Sequence, residues 1–150
     1  MSIEYESNAA SGRIANRTFD KSWYKLALTL LQRNNLISNE DLKFIDWGSS
    51  ACEFIELIRD NYNLNCIAAD YPALAVDYAN HLGYQSFQLD ANDAQSLPAQ
   101  YHNYADIVTS LEQMEHITDL DSYFHIIHKA LKVDGYFLLK NLLMQILEKS

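Results

Sequence analysis

The sequence predicts an α/β fold, with a mostly parallel sheet of about five strands flanked by helices. Three observations predict it. Short apolar stretches alternate with amphipathic ones between residues 43 and 140, and strands that alternate with helices pair in parallel through right-handed crossovers. A turn of small residues, GSSAC at 48–52, follows the first apolar stretch. Acidic residues follow the apolar stretches in turn, which is typical of a site at the carboxyl ends of parallel strands.

Composition limits the classes of function. A chain of 150 residues with 49% hydrophobic residues is expected to form one folded domain. Its net charge of −9 disfavours nucleic acid and anionic membrane as partners, because both attract clustered Lys and Arg. Arg13, Arg17 and Lys21 form a small basic cluster, which is interpreted as a solvated face. Cys52 and Cys66 have no spacing typical of a disulfide framework or a metal site.

The chain is expected to be cytoplasmic. No apolar run approaches the roughly 20 residues that a membrane span needs. The first six residues, MSIEYE, contain neither a basic region nor an apolar segment, so no secretion signal is predicted.

The N-terminal part divides in two by composition. Residues 1–21 are polar and predict a flexible or loosely packed arm, and residues 22–150 predict the folded domain. Within that domain, one helical face carries the apolar residues Trp23, Leu26, Leu30 and Leu31. This predicts a first helix from Ser22 to about residue 34 that packs beside the sheet.

The remaining elements follow in order from hydrophobic period and turn residues. Strands are predicted over 43–47, 65–70, 85–89, 105–111 and 136–140. Helices are predicted over 53–62, over 73–82 with Gly83 after its end, over 121–131 with Asp121 or Ser122 as its cap, and over 142–148.

Acidic residues stand at the ends of four successive predicted strands: Asp46, Asp70, Asp90 and Glu112. A single acid at such a position is a helix cap or a turn residue as often as it is part of a binding site. Four in succession favour a binding site, because the carboxyl ends of parallel strands meet at one edge of the sheet.

The position of Asp70 favours a ligand with an unphosphorylated ribose. It lies 22 residues after Gly48 (70 − 48), near the offset of about 20 at which an acid binds ribose hydroxyls in nucleotide-binding sheets. A dinucleotide would need glycines where this chain has Ser50 and Glu53, and Glu53 would repel a pyrophosphate. S-adenosylmethionine is cationic and has no phosphate, so Asp46, Glu53 and Glu112 suit it better.

These residues resemble a known family, the class I S-adenosylmethionine-dependent methyltransferases of the type 11 or type 12 domain, which have a Rossmann-like fold. The similarity covers about residues 44–139. Residues 45–54, IDWGSSACEF, are similar to the family's Asp-x-Gly-x-Gly-x-Gly-Glu-Phe motif, with Ser50 and Cys52 in place of its second and third glycines. Residues 104–108, 111–116 and 131–136 resemble three later signatures.

The resemblance implies S-adenosyl-L-methionine as cofactor and a small-molecule methyl acceptor. It implies cofactor contacts at the motif positions Asp46, Gly48, Ser50 and Glu53, at Asp70 for the ribose, at Tyr71 beside it, at Asp90 and Ala91 for the adenine, and at Glu112. Asp93 is an alternative to Asp90. In the Glu-His signature, His116 is the candidate general base, because histidine is the side chain that ordinarily changes charge near neutral pH.

The family's sheet has two strands after the fifth that this chain is expected to lack. An uncovered fifth strand would be an exposed edge, which predicts a homodimer through it. Two alternatives stay open: a degenerate protein or fragment that binds S-adenosylmethionine without catalysis, and a nicotinamide-dependent oxidoreductase, which Ser50 and Glu53 disfavour.

Overall fold

The computed structural model of the chain describes residues 3–17, 22–38, 41–111, 113–140 and 144–149; for residues 3–6, 144 and 145 it describes the backbone alone. The helices are α1 Ile3–Ala15, α2 Ser22–Arg33, α3 Glu53–Asn61, α4 Ala73–His81 and α5 Leu120–Ala130. The strands are β1 Lys43–Trp47, β2 Asn65–Asp70, β3 Gln85–Gln88, β4 Ala105–Leu111, β5 Leu131–Lys140 and β6 Met144–Glu148. Single 3₁₀ turns lie at Ala99–Tyr101 and Met114–His116.

The strands form one sheet in the order β3-β2-β1-β4-β5-β6. Strands β1 to β5 pair in parallel, as predicted, and β6 runs antiparallel to β5. The chain leaves β1 toward β2 and β3 on one side and returns to β4 on the other. The crevice between the ends of β1 and β4 is therefore the switch point at which open α/β sheets bind ligands.

Two apolar clusters cover the two faces of the sheet, which alternation along the strands separates. On one face, Trp47, Val108 and Phe137 pack with Tyr123 and Ile126 of α5. On the other, the strands pack with apolar residues of α2, α3 and α4: Leu28, Leu31, Phe54, Ile55, Ile58 and Ala79. The first predicted helix thus packs beside the sheet, and Gly83 ends α4 with a φ of 87°.

The prediction of a final helix over 142–148 is wrong, because β6 occupies residues 144–148. Phe137 pairs with Leu147 and Leu138 with Ile146, so neighbouring apolar side chains of β6 lie toward opposite faces, as in a strand. The local sequence suits either structure, and the open side of β5 decides it by offering backbone partners. The expected uncovered edge of the fifth strand is corrected in the same way, since β6 pairs with it.

The N-terminal arm is also more ordered than its composition indicates. Helix α1 spans most of it, and Ala10 is buried. Arg17, which was interpreted as part of a solvated face, donates from Nε to the carbonyl of Ala51 at 3.0 Å and forms a 2.7 Å ion pair with Glu56. Helix α1 therefore leads into a contact with the turn after β1. The domain boundary at residue 22 stays a prediction.

Helix α5 begins one residue earlier than predicted and uses a different cap. Asp119, rather than Asp121 or Ser122, is its N-cap, and the Asp119 carboxylate accepts from the backbone N–H of Ser122 at 3.0 Å.

Among the described residues, no helix has the length and apolar character to cross a membrane.

Candidate functional site

The turn after β1 has a left-handed backbone at three positions. Gly48, Ser50 and Cys52 have φ of 82°, 49° and 60°. For a residue other than glycine this conformation costs about 1–3 kcal/mol, so Ser50 and Cys52 keep the shape of a glycine-rich turn at a cost. The amides of Gly48 and Ser49 donate to the carbonyl of Ala69 at 2.8 and 3.3 Å, which ties the turn to the end of β2.

Asp70 is the second anchor of this turn. Its Oδ2 accepts from the backbone N–H of Ser50 at 2.7 Å, and its Oδ1 accepts from the N–H of Tyr71 at 2.8 Å. The residue is buried. Charge-assisted bonds of this kind are among the strongest in proteins, and they hold Ser50 in its left-handed conformation. Asp70 therefore has a structural role in addition to the predicted one toward a ribose.

Asp46 lies in the interior rather than at an open surface. It is 3% exposed, and the Thr109 hydroxyl donates to its Oδ1 at 2.6 Å across the β1–β4 pair. Burial raises the pKa of Asp46 from 3.8 to about 7; the Thr109 hydrogen bond opposes this rise and the nearby charge of Asp70 adds to it. At neutral pH this carboxyl is therefore partly protonated, which weakens the argument that it supplies a full negative charge to a ligand.

Asp46 makes the stability of the protein depend on pH. The unfolded chain releases this proton near pH 3.8 and the folded protein near pH 7, so the stabilising contribution is full below the lower value and is lost as the pH rises to the upper one. We expect the free energy of unfolding of wild type, relative to Asp46→Asn, to fall over this interval. Urea denaturation at a series of pH values measures it, and parallel curves for the two proteins would contradict the assignment.

Glu53 is the first residue of α3 and is 5% exposed. A carboxylate at a helix N-terminus is favourable to the helix, and this one holds the position where a bound pyrophosphate would place its charge. Cys52 beside it is fully buried, and burial raises its thiol pKa to about 12. The burial of Cys52 and its raised pKa match its interpretation as a packed apolar residue rather than a nucleophile.

A cavity of about 60 Å³ lies beside the turn, at the carboxyl ends of the strands. It brings together four of the predicted residues: Tyr71, Asp90, Ala91 and His116. Five others that the sequence analysis did not select complete its lining: Trp47, Leu89, Asn92, Gln113 and Ile117. Gly48, Ser50, Glu53 and Asp70 do not line it. Gln113 connects the two groups, because a Cβ added at Gly48 would overlap its side chain.

The loop after β3 separates the two alternatives for the adenine contact. Asp90 lines the cavity, and its Oδ1 accepts from the N–H of Asn92 at 2.9 Å. Asp93 is exposed, does not line the cavity and accepts from the N–H of Gln95 at 2.9 Å. The geometry therefore favours Asp90 over Asp93.

The last two predicted residues are His116 and Glu112. His116 ends the 3₁₀ turn after β4, and its exposed side chain reaches the cavity. Glu112 lies outside the described residues. Sequence reasoning missed Gln113, whose side chain lies nearest to a Cβ added at Gly48. The signal in the sequence was its place one residue after Glu112.

Comparison with known protein families gives a match over most of the sheet. A family model described as a methyltransferase domain matches residues 45–139. Among the curated proteins no match is found.

Several solved structures are similar in fold. One is the protein described as a methyltransferase in its complex with the Haloferax volcanii Trm112 methyltransferase activator, at 22% identity and a TM-score of 0.70, covering 93% of this chain and 60% of that one. Another, described as an S-adenosyl-L-methionine-dependent methyltransferase, is from Methanococcus maripaludis, at 19% identity and a TM-score of 0.69, covering 89% and 62%. A third is Haemonchus contortus phosphoethanolamine N-methyltransferase 2 in complex with S-adenosyl-L-methionine, at 21% identity and a TM-score of 0.60, covering 77% and 27%. The chain thus spans about 60% of the length of the first two.

Proposed function

Because this chain belongs to the methyltransferase domain family, we propose that it is an S-adenosylmethionine-dependent methyltransferase acting on a small-molecule acceptor. The observation that carries the proposal is the extent of the family match. It runs from β1 into β5 and includes every candidate residue, from Asp46 to His116. The cavity and the Gly48 turn lie at the carboxyl ends of these strands, where such a fold binds its ligand.

The residues at this edge fit the adenosine part of the cofactor. The Asp70 carboxylate is held at the end of β2 by the backbone amides of Ser50 and Tyr71, and a carboxylate is the acceptor that ribose hydroxyls need. Tyr71, Asp90 and Ala91 line the cavity on the β2–β3 side, as an adenine contact requires. The Ser50 hydroxyl is buried and has no hydrogen-bond partner among the described residues, which favours a polar ligand at the turn.

The rest of the site is proposed to position and shield the reacting groups. When bound, S-adenosylmethionine supplies a methyl group on a sulfonium that is already activated for transfer. The protein therefore contributes chiefly orientation and exclusion of water. His116 is proposed as the base that takes up an acceptor proton at an imidazole nitrogen, where the acceptor has one to lose.

One observation disfavours the nicotinamide alternative. Glu53 is buried at the N-terminus of α3, and a pyrophosphate there would meet a second negative charge with little water between them. The non-catalytic alternative shares the cofactor site with the proposed enzyme, so binding alone does not separate the two.

Ligand titration tests the proposal. We expect S-adenosylmethionine and S-adenosylhomocysteine to raise the thermal unfolding midpoint and NAD to leave it unchanged, because a ligand at about 100 times its Kd stabilises by about 2.7 kcal/mol. NMR of the imidazoles in the same titration is expected to shift His116, whereas His125 and His128, exposed on α5, serve as controls. No shift with either adenosyl ligand would contradict the proposed function. Transfer of a labelled methyl group to a candidate acceptor would separate enzyme from binding protein.

Three further features stay predictions. The acceptor is proposed to be a small molecule, and the location to be the cytoplasm. A homodimer through the sheet edge would form at β6, the outer strand of the sheet as described, rather than at the fifth strand.

A further inference from the structure

The side chain of Gln113 lies in the crevice at the switch point of the sheet. Gly48 directly follows β1, and Gln113 comes two residues after the end of β4, the neighbour of β1 in the sheet. A Cβ at Gly48 would overlap three atoms of the Gln113 side chain. The space above the Gly48 backbone, which a turn of this shape leaves open for a ligand, is therefore occupied by this glutamine.

The cavity that remains is small and lies to one side of that glutamine. Its volume of about 60 Å³ is well below the roughly 300–1,000 Å³ of pockets that bind whole small-molecule ligands. Gln113 forms part of its wall, and Tyr71, Asp90 and Ala91, at the β2 and β3 ends, form another part. The nucleoside end of the crevice is thus partly open, and the end over Gly48 is filled.

The position of Asp70 indicates which part of a ligand meets Gln113. In nucleotide-binding sheets the acid at the end of β2 binds the ribose, and the substituent on the 5′ carbon extends toward the turn after β1. In this chain that direction leads from Asp70 to Gly48. A 5′ amino-acid tail would therefore enter the volume that the Gln113 side chain fills.

We propose that Gln113 selects among adenine nucleosides by the size of the 5′ substituent, because its side chain and Gly48 together close the crevice beyond the ribose. Nucleosides with a short 5′ group need the cavity of about 60 Å³ to widen, but they do not need the Gln113 side chain to move. S-adenosylmethionine and S-adenosylhomocysteine bind only after the side chain rotates away, which its three flexible torsions allow. This inference rests on the proposed function, since it concerns the same site.

Calorimetric titration of four proteins tests the inference, with 5′-methylthioadenosine and S-adenosylhomocysteine as ligands. The proteins are wild type, Gln113→Ala, Gln113→Met and Gln100→Ala; Gln100 is exposed in the 3₁₀ turn before β4. We expect Gln113→Ala to bind S-adenosylhomocysteine about threefold to tenfold more tightly than wild type, which is the range for releasing one ordered side chain. Its affinity for 5′-methylthioadenosine is expected to stay the same. Gln113→Met, which keeps the bulk, and Gln100→Ala are expected to resemble wild type with both ligands.

The outcomes separate this inference from the proposed function. If S-adenosylhomocysteine binds Gln113→Ala no more tightly than wild type while both ligands bind, Gln113 does not close the crevice and the cofactor site still stands. A gain shared equally by both ligands would also overturn the selection by size. If neither ligand binds any of the four proteins, both proposals fail.

Discussion

Replacement of Asp70 by Asn is expected to weaken S-adenosylhomocysteine binding by about a hundredfold, because each hydrogen bond to a charged group contributes about 1.5–3 kcal/mol and the ribose offers two. The folded protein should suffer as well. Both carboxylate oxygens accept backbone N–H groups, from Ser50 and Tyr71. The amide nitrogen of Asn would face one of these donors, so we expect a loss of about 1–3 kcal/mol in the free energy of unfolding.

Binding calorimetry below the unfolding midpoint, together with urea denaturation, measures both effects. Asp77→Asn is the matched control, because Asp77 is exposed on α4 and the same change there should alter neither quantity. Unchanged affinity of Asp70→Asn would show that the ribose lies elsewhere. Unchanged stability would show that the turn holds its shape without the carboxylate.

Replacement of Gly48 by Ala is expected to lower the free energy of unfolding more than the same change at Gly83. Both glycines have a positive φ, 82° and 87°, so an added Cβ costs each position about 1–2 kcal/mol of backbone strain. At Gly83 the Cβ meets nothing within 4 Å, whereas at Gly48 it overlaps the Gln113 side chain. Displacing that side chain adds about 0.5–1.5 kcal/mol at Gly48 alone.

Urea denaturation of Gly48→Ala, Gly83→Ala and the double variant Gly48→Ala/Gln113→Ala separates the two contributions. The double variant should lose less stability than the sum of its parts, since neighbouring changes couple. Gly48→Ala should also weaken S-adenosylhomocysteine binding, because the added methyl group projects into the crevice. Equal losses at Gly48 and Gly83 would contradict the crowding at the switch point.

Prediction from sequence succeeded for strands whose local hydrophobic pattern is enough to specify them. The bounds of β1, β2 and β4 were predicted to the residue, because buried parallel strands are short apolar runs closed by polar residues. It failed for β6, for the cap of α5 and for α1. Strand β6 depends on pairing with the open side of β5, and α1 depends on the packing that buries Ala10. At the start of α5, the sequence offers several neighbouring residues that can cap a helix, and the structure uses Asp119.

For the candidate site, residue type and spacing were enough to identify the family motif and to place Asp46, Asp70 and Asp90 at or near the ends of the first three strands. Local chemistry links residue type and spacing directly to strand, turn and helix. The roles of the acids depend on their tertiary contacts. Asp46 is buried against Thr109, Asp70 holds the Ser50 turn, and Gln113 fills the space over Gly48. Burial, pKa and steric closure depend on which strands lie side by side, and β1 and β4 are neighbours in the sheet although about 60 residues apart in the chain.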